Sequence, residues 1–235
     1  MKKIKIVVTV CLMGLVLMTV SSCTRKINST ESLMKEIEKR YYGKWFKHVK
    51  FSQTADTYEN DSLVKSEIWD EEYYFPTNLI IYITPGDTSN RYVYRNDSAL
   101  IYENNILTSQ EKVTHDAIIL SMDIYNMTFP EIMNRLGDLK YDISKFHETN
   151  YTGRKVYVMG AEKGDTSSYQ AWFDAEHLYL IKLIKPIEED VREVELLNYI
   201  QLEKGWIEQE VLFKINGKVY MWEKYFNISA KDKDN

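Results

Sequence analysis

Cysteine is scarce in this sequence, with two residues among 235. Cys11 lies in an N-terminal segment that we expect to be removed, and Cys23 stands at the end of that segment. The chain from Thr24 onward therefore has no thiol, which excludes a disulfide, a cysteine nucleophile and a cysteine metal ligand from the mature domain. Its fold must be held together by the hydrophobic core alone.

A surplus of positive charge is also missing. The chain has 30 basic and 35 acidic residues, and its first 22 residues contain three of the basic ones and none of the acidic ones. The remainder therefore has 27 basic and 35 acidic residues, a net charge of −8. Because an acidic surface repels phosphate backbones and anionic lipid headgroups, we expect no nucleic-acid partner and no polybasic membrane patch.

No catalytic motif is recognisable in the sequence. The four histidines stand far apart without metal-ligand spacing, and the sequence has no P-loop, no dinucleotide fingerprint and no nucleophile elbow. The stretch "GAEKGDTSS" is interpreted as a hairpin turn. The acidic clusters "WDEEYY" and "IEEDVREVE" are interpreted as solvated strand edges, because adjacent carboxylates on a strand alternate between its faces. We therefore expect no enzyme, no cofactor and no metal site.

The N-terminus has the architecture of a secretory signal. Three lysines within the first five residues precede the apolar run Ile6–Val20, which is shorter than the roughly 20 residues that span a bilayer. The ending "VSSC" resembles the bacterial lipobox, in which cleavage leaves the cysteine as a lipid-modified N-terminus. Residues 1–22 are thus predicted to be a lipoprotein signal peptide, Cys23 the lipid attachment site and residues 23–29 a tether.

A single helix is predicted after the tether, with Ser29 or Thr30 as its cap and Gly43 at its end. Its apolar stripe consists of Leu33, Met34, Ile37 and Tyr41. From Lys44 the period changes to two, and six strand-like runs alternate with turn sequences such as "ENDS", "PGDTSN" and "RNDS". Six strands joined by short turns predict an antiparallel meander, because parallel neighbours need long crossovers.

A helical interruption separates this meander from a second one. "HDAIILSMDIYNM" predicts a buried helix, and Thr128 and Glu131 predict a capping box at the start of another. Strands resume near Phe146 and continue almost to the C-terminus. Since no repeat or interdomain linker is visible, residues 30–230 are expected to form one domain and residues 231–235 a flexible tail.

The stretch from Val156 to Ile184 predicts three strands joined by two tight turns, with apolar residues on both faces. Val156 and Val158 share one face of the first strand, whereas Tyr157 and Met159 share the other. Both faces need cover, which predicts a strongly curved sheet with helices against its concave side. One apolar face would then line an interior.

The order of elements resembles the periplasmic lipoprotein carrier and receptor superfamily typified by LolA and LolB. Four short stretches are similar to motifs of that superfamily, namely "FSQT", "IWDEEYYFPTNLI", "DSALIYENN" and "QAWFD". The resemblance implies a mainly β fold with a few helices, in which a single curved antiparallel sheet forms an unclosed half-barrel covered by helices. It also implies a hydrophobic cavity that receives acyl chains.

By this resemblance, four residues become candidates for the cavity or its rim, namely Phe51, Trp69, Leu79 and Trp172. Further candidate ligand-binding residues are Phe75, Ile81, Tyr157 and Met159. In the known carriers a basic residue directly precedes the proline of the second motif and ties the barrel to its lid, whereas Phe75 precedes Pro76 here. A latch of the family type is therefore not expected at this position. An ordinary core would use the same side chains.

Two functions are compatible with these features. The first is a lipid-anchored protein of the Gram-negative envelope, facing the periplasm from the outer membrane, that binds a lipid or lipoprotein acyl chain and acts in lipoprotein sorting or localisation. Its expected partners are that acyl chain and, through the N-terminal lipid, a membrane; the chain itself is expected to be monomeric. The alternative is a non-catalytic interaction module with a filled core that binds a partner protein. A cavity of roughly several hundred Å³ would favour the first function.

Overall fold

The structure, a computed structural model, describes residues 26–230. The predicted signal peptide, Cys23 and the predicted tail lie outside the described residues. Residues 26–28 have no regular secondary structure and lead into the first helix. Within residues 26–230, no helix is both long enough and apolar enough to cross a membrane.

Helix α1, Thr30–Tyr41, begins at the predicted cap. The Ser29 hydroxyl accepts a hydrogen bond from the backbone N–H of Ser32 at 3.1 Å, and the Ser32 hydroxyl accepts one from the N–H of Ser29 at 2.9 Å. This reciprocal pair satisfies two N–H groups that a helix start leaves free. The four residues of the predicted apolar stripe are all buried, which confirms the periodicity.

The first meander consists of six antiparallel strands in sequence order, as predicted. They are β1 (His48–Glu59), β2 (Ser62–Tyr74), β3 (Asn78–Thr84), β4 (Asp87–Arg95), β5 (Ser98–Glu103) and β6 (Ile106–Lys112). The β1–β2, β4–β5 and β5–β6 turns each have two central residues with positive φ. Turns of this kind have the same sense of twist as the strands that they join. The predicted turn "PGDTSN" is shorter than expected, because Gly86 at φ +77° reverses the chain and β4 begins at Asp87.

The helical interruption has three parts. The predicted buried helix is divided into α2, Asp116–Ser121, and a 3-10 turn, Asp123–Asn126. Helix α3, Phe129–Gly137, follows, and the carboxylate of Glu131 accepts a hydrogen bond from the N–H of Thr128 at 2.7 Å. The predicted capping box is therefore confirmed.

The second meander begins at Asp142, a few residues earlier than predicted. Its strands are β7 (Asp142–Tyr151), β8 (Arg154–Gly160), β9 (Gln170–Asp174), β10 (Leu180–Ile187), β11 (Asp190–Leu197), β12 (Ile200–Leu202), β13 (Gly205–Ile207), β14 (Glu210–Ile215) and β15 (Lys218–Ala230). The connection between β8 and β9 was expected to be a tight turn but runs from 161 to 169. Asp165 shapes this loop by accepting hydrogen bonds from Ser167 and Ser168.

The two meanders form one continuous sheet, because β1 pairs with β2 on one side and with β15 on the other. The result is a 13-stranded antiparallel sheet in the order β6-β5-β4-β3-β2-β1-β15-β14-β11-β10-β9-β8-β7. Strands β12 and β13 form a separate two-stranded ribbon. Since β6 and β7 are the two edges and do not pair with each other, the sheet is an unclosed half-barrel, as the family resemblance implied.

The helices pack on the concave side of the sheet. Helix α1 contacts α3 and β7, and α2 contacts β10. Strand β8 is buried on both faces, with Val156, Val158 and Met159 all fully inaccessible to solvent. The expectation that both faces of this region need cover is thus confirmed.

Candidate functional site

A cavity of about 530 Å³ lies between the concave face of the sheet and helix α2. Strands β1 to β4, β11, β14 and β15 supply its walls, and α2 supplies its cover. Most of the lining is apolar and includes Tyr73, Ile118, Met122, Leu196, Phe213 and Tyr225. The volume falls within the roughly 300–1,000 Å³ that is usual for small-molecule pockets in proteins.

Four of the predicted ligand-binding residues line this cavity, namely Phe51, Trp69, Leu79 and Ile81. Strand pairing brings them together. Phe51 is opposite Glu71, which is opposite Ile81 on the next strand, and Tyr73 is opposite Leu79. Because directly paired residues share a face of the sheet, these side chains all point to the concave side.

The other four candidates lie away from this cavity. Phe75 follows β2, and its ring lies 5.7 Å from the Lys47 ammonium. Tyr157 and Met159 are core residues on β8, close to the β7 edge, where Tyr157 stacks on Phe146. Trp172 is opposite Val158 and therefore on the other face from Tyr157 and Met159. Its indole N–H donates to the side chain of Gln170 at 3.0 Å.

The interpretation of the acidic clusters as solvated edges was wrong for three glutamates. Glu71 and Glu72 lie inside β2 with exposed fractions of 6% and 7%, and Glu195 on β11 is 7% exposed. Glu195 is tied to Lys214 at 2.9 Å and to Lys182 at 3.2 Å. Both strands have neighbours on either side, so burial reaches their polar residues as well.

Glu71 and Glu72 are in opposite electrostatic settings, because they occupy opposite faces of β2. Glu72 pairs with Lys50 at 2.7 Å and with His48 at 2.6 Å. Burial alone would raise the pKa of Glu72, but the hydrogen bonds from Lys50, Tyr74 and His48 hold it below its ordinary value. Glu71 instead faces the cavity. Its pKa is raised well above the ordinary value by burial and by the neighbouring Glu223 and Glu208.

Glu208 and Glu223 were not recognised from the sequence as site residues, yet both line the cavity. Burial raises the pKa of each carboxyl to about 7. The signal for Glu223 was the alternation in β15, where Met221, Glu223 and Tyr225 share one face. An acidic residue between two large apolar ones marks a buried carboxyl. Glu208 follows the short strand β13 and had no comparable signal.

The remaining polar lining differs between the rim and the interior. At the rim, Lys65 pairs with Glu67 at 2.8 Å, and the Lys65 side chain is 61% exposed. Inside, His115 caps α2 by accepting a hydrogen bond from the N–H of Ile118 at 3.3 Å. Burial lowers the pKa of His115 to about 4, so its imidazole is neutral at pH 7. Within residues 26–230, no group of three or more His, Cys, Asp or Glu is arranged to hold a metal ion.

The cover is attached to the sheet through Asp123 in the 3-10 turn. The Asp123 carboxylate accepts a hydrogen bond from the hydroxyl of Tyr73 at 2.5 Å and one from the N–H of Thr77 at 2.9 Å, and the Thr77 hydroxyl also contacts it. Tyr73 and Thr77 flank the Phe75–Pro76 step. A connection between sheet and cover therefore exists near this proline, although no basic residue makes it.

Two further contacts fix the 3-10 turn. The Tyr125 hydroxyl donates to the carbonyl of Leu178 and accepts from the N–H of Leu180, both at 3.1 Å. The Asn126 amide donates to the carbonyl of Phe46 at 3.0 Å. The 3-10 turn of the cover is therefore held at three places, namely the β2–β3 connection, the β9–β10 connection and the loop that precedes β1.

Comparison with known proteins supports the architecture. No family model matches the sequence, and no curated protein matches it significantly. Among solved structures, a DUF1329 family protein from Desulfovibrio piger is similar with a TM-score of 0.57 and 11% identity, over 88% of this chain and 93% of that one.

Two more solved structures share the fold. A LolA superfamily protein from Nitrosomonas europaea has a TM-score of 0.54 and 9% identity, over 88% of this chain and 96% of that one. A domain described as part of an outer membrane lipoprotein-sorting protein from Vibrio parahaemolyticus has a TM-score of 0.55 and 12% identity, over 88% and 94% of the two chains. The unclosed half-barrel with its helical cover is therefore a LolA-like fold.

Proposed function

We propose that this protein binds a hydrophobic ligand, a lipid or a lipoprotein acyl chain, in the cavity beneath α2. The observation that carries the proposal is the cavity of about 530 Å³ with a mainly apolar lining. Burial of each methylene contributes roughly 0.8 kcal/mol, so one alkyl chain would bind without any specific polar contact. A module with a filled core, the alternative function, would not need a cavity of this size.

We also propose that the protein is located in the cell envelope. Residues 1–22 would direct export and Cys23 would carry the lipid anchor, with the domain facing the periplasm, most simply from the outer membrane. The solved neighbours include a LolA superfamily protein and an outer membrane lipoprotein-sorting domain, which supports a role in lipoprotein sorting or localisation. Mass spectrometry of the membrane fraction should find lipid on Cys23, and Cys23→Ser should abolish that modification. We propose no catalytic role.

Filling the cavity tests ligand binding directly. Ala117 lies on the cavity side of α2, and Ala117→Phe would place a ring in the space that an alkyl chain would use. We expect at least a tenfold loss of affinity for a fluorescent fatty-acyl probe in a titration. Ala175→Phe is the matched control, because Ala175 is also half-buried but lies in the β9–β10 turn. Equal affinity in both variants would contradict binding at this site.

A further inference from the structure

Three glutamates reach the cavity from separate parts of the chain. Glu71 is on β2, Glu223 is on β15, and Glu208 lies in the connection between β13 and β14. Their exposed fractions are 6%, 8% and 4%. Only the folded sheet brings them together, and it does so inside a lining that is otherwise mostly apolar.

These carboxyl groups have no cationic partner. In the described part of the chain, none of the three takes part in a salt bridge. The Oε2 atom of Glu208 is fully buried and has no hydrogen-bond partner. The carboxyl of Glu223 accepts a long hydrogen bond from the Tyr225 hydroxyl at 3.5 Å, and the uncharged Gln53 side chain is close enough to lower its pKa. Buried acceptors are normally satisfied in folded proteins, so these groups can accept hydrogen bonds from a ligand.

The rest of the lining is unfavourable to anions. Lys65, the lysine on the wall, already pairs with Glu67 at the rim. His115 is neutral at pH 7, because burial lowers its pKa to about 4. An anionic head group inside the cavity would therefore meet carboxyl groups and no unpaired cation among residues 26–230, whereas an ammonium group would meet three potential partners.

We propose that the cavity selects amphiphiles that carry a primary ammonium group beside an alkyl chain, with Glu208 and Glu223 as hydrogen-bond acceptors. This inference rests on the proposed function and names the polar group of its ligand. A primary ammonium supplies both the charge and the N–H donors that the unpaired Oε2 of Glu208 lacks. A quaternary ammonium supplies the charge alone.

The proposal also fixes a pH dependence. Burial raises the pKa of Glu208 and of Glu223 to about 7, whereas an alkylammonium keeps its charge well above that pH. The carboxyl groups are mostly protonated at pH 5 and mostly ionised at pH 8. Glu71 faces the same space with a pKa that burial and the two neighbouring glutamates likewise raise, and His115 stays neutral across this range. Binding of the amine should therefore be tighter at pH 8.

The test is calorimetric titration of the folded protein with four dodecyl compounds below their micelle concentrations. These are dodecylamine, dodecyltrimethylammonium, dodecanol and dodecanoate. We expect dodecylamine to bind at least tenfold more tightly than dodecanol, dodecyltrimethylammonium to fall between them, and dodecanoate to bind most weakly. In Glu208→Gln the preference for the amine should shrink severalfold, whereas Glu103→Gln, at an exposed position on β5, should retain it.

The outcomes separate this inference from the proposed function. If all four compounds bind equally well, the ammonium preference is overturned and alkyl-chain binding stands. If none binds, both are overturned. The pH series on the unmodified protein gives an independent test, and an amine affinity that is equal or weaker at pH 8 would also overturn the preference.

An aminophospholipid and an amine of a lipidated peptide both contain the proposed group, and lysophosphatidylethanolamine distinguishes these sources. Its phosphate would lack a cationic partner in the lining, so we expect it to bind more weakly than dodecylamine. Equal binding would assign the amine to a lipid head group.

Discussion

At the residue scale, the buried carboxyl groups make stability depend on pH. The pKa of Glu208 is about 7 in the folded protein, above the ordinary value of 4.5. Its contribution to the free energy of unfolding is therefore fully present below about pH 4.5 and is lost as the pH rises through about 7. Each such carboxyl is worth on the order of 3 kcal/mol across that window. His115 acts in the opposite sense, because its lowered pKa makes its contribution disappear as the pH falls below 6.5.

Glu208→Gln isolates the carboxyl effect from that of His115. We expect the variant to be about as stable as the parent protein at pH 5 and about 2–3 kcal/mol more stable at pH 8, since the amide never ionises. Urea unfolding at the two pH values measures the difference, and the exposed Glu103→Gln serves as control. Parallel pH profiles for all three proteins would show that Glu208 does not titrate in this range.

The same residues mark the limit of prediction from sequence. Phe51, Trp69, Leu79 and Ile81 line the cavity, because alternation along paired strands puts them on one face of the sheet, and their contact with a ligand stays a prediction. Glu71 was predicted to be exposed to solvent, because carboxylates usually are. It is buried because β2 has a neighbouring strand on each side, and the sequence around Glu71 gives no sign of this. Trp172 was expected near the cavity together with Tyr157 and Met159. It is paired with Val158 instead, and it therefore lies on the opposite face of the sheet from those two residues.

At the scale of elements, the contact between Asp123 and the β2–β3 connection holds the cover on the sheet. Tyr73→Phe removes one of its donors without changing the ring that packs in the core. We expect a loss of about 1–3 kcal/mol in unfolding free energy, because the buried carboxylate of Asp123 loses a hydrogen bond. Amide hydrogen exchange should also become faster in the 3-10 turn and α2 than elsewhere. In Tyr42→Phe, whose side chain is largely exposed, both quantities should be nearly unchanged. Equal behaviour of the two variants would show that the contact does not hold the cover.

Local signals predicted most elements well. The cap at Ser29, the capping box at Thr128 and the first six strands all depend on near neighbours in the sequence. The division of the second predicted helix at Met122 depends on distant contacts instead. Asp123 and Tyr125 hydrogen-bond to β2–β3 and to the β9–β10 region, and these partners determine where α2 ends.

At the scale of the whole molecule, the pairing of β1 with β15 creates the cavity. It joins strands that are far apart in the sequence, and it sets Gln53 between Trp69 and Tyr225. A single continuous sheet was expected from the resemblance to the lipoprotein carriers. The cavity volume was not predictable, because a filled core and a ligand cavity use the same residue types and differ only in how tightly they pack.

The central claim is that this cavity binds an alkyl chain, and a chain-length series tests it most directly. Octyl, decyl, dodecyl and tetradecyl members of one uncharged amphiphile family would be titrated against the protein. We predict that affinity rises by roughly fourfold per added methylene, the equivalent of about 0.8 kcal/mol, and levels off once the cavity is filled. Affinity that does not depend on chain length, or no binding by any member, would contradict the claim.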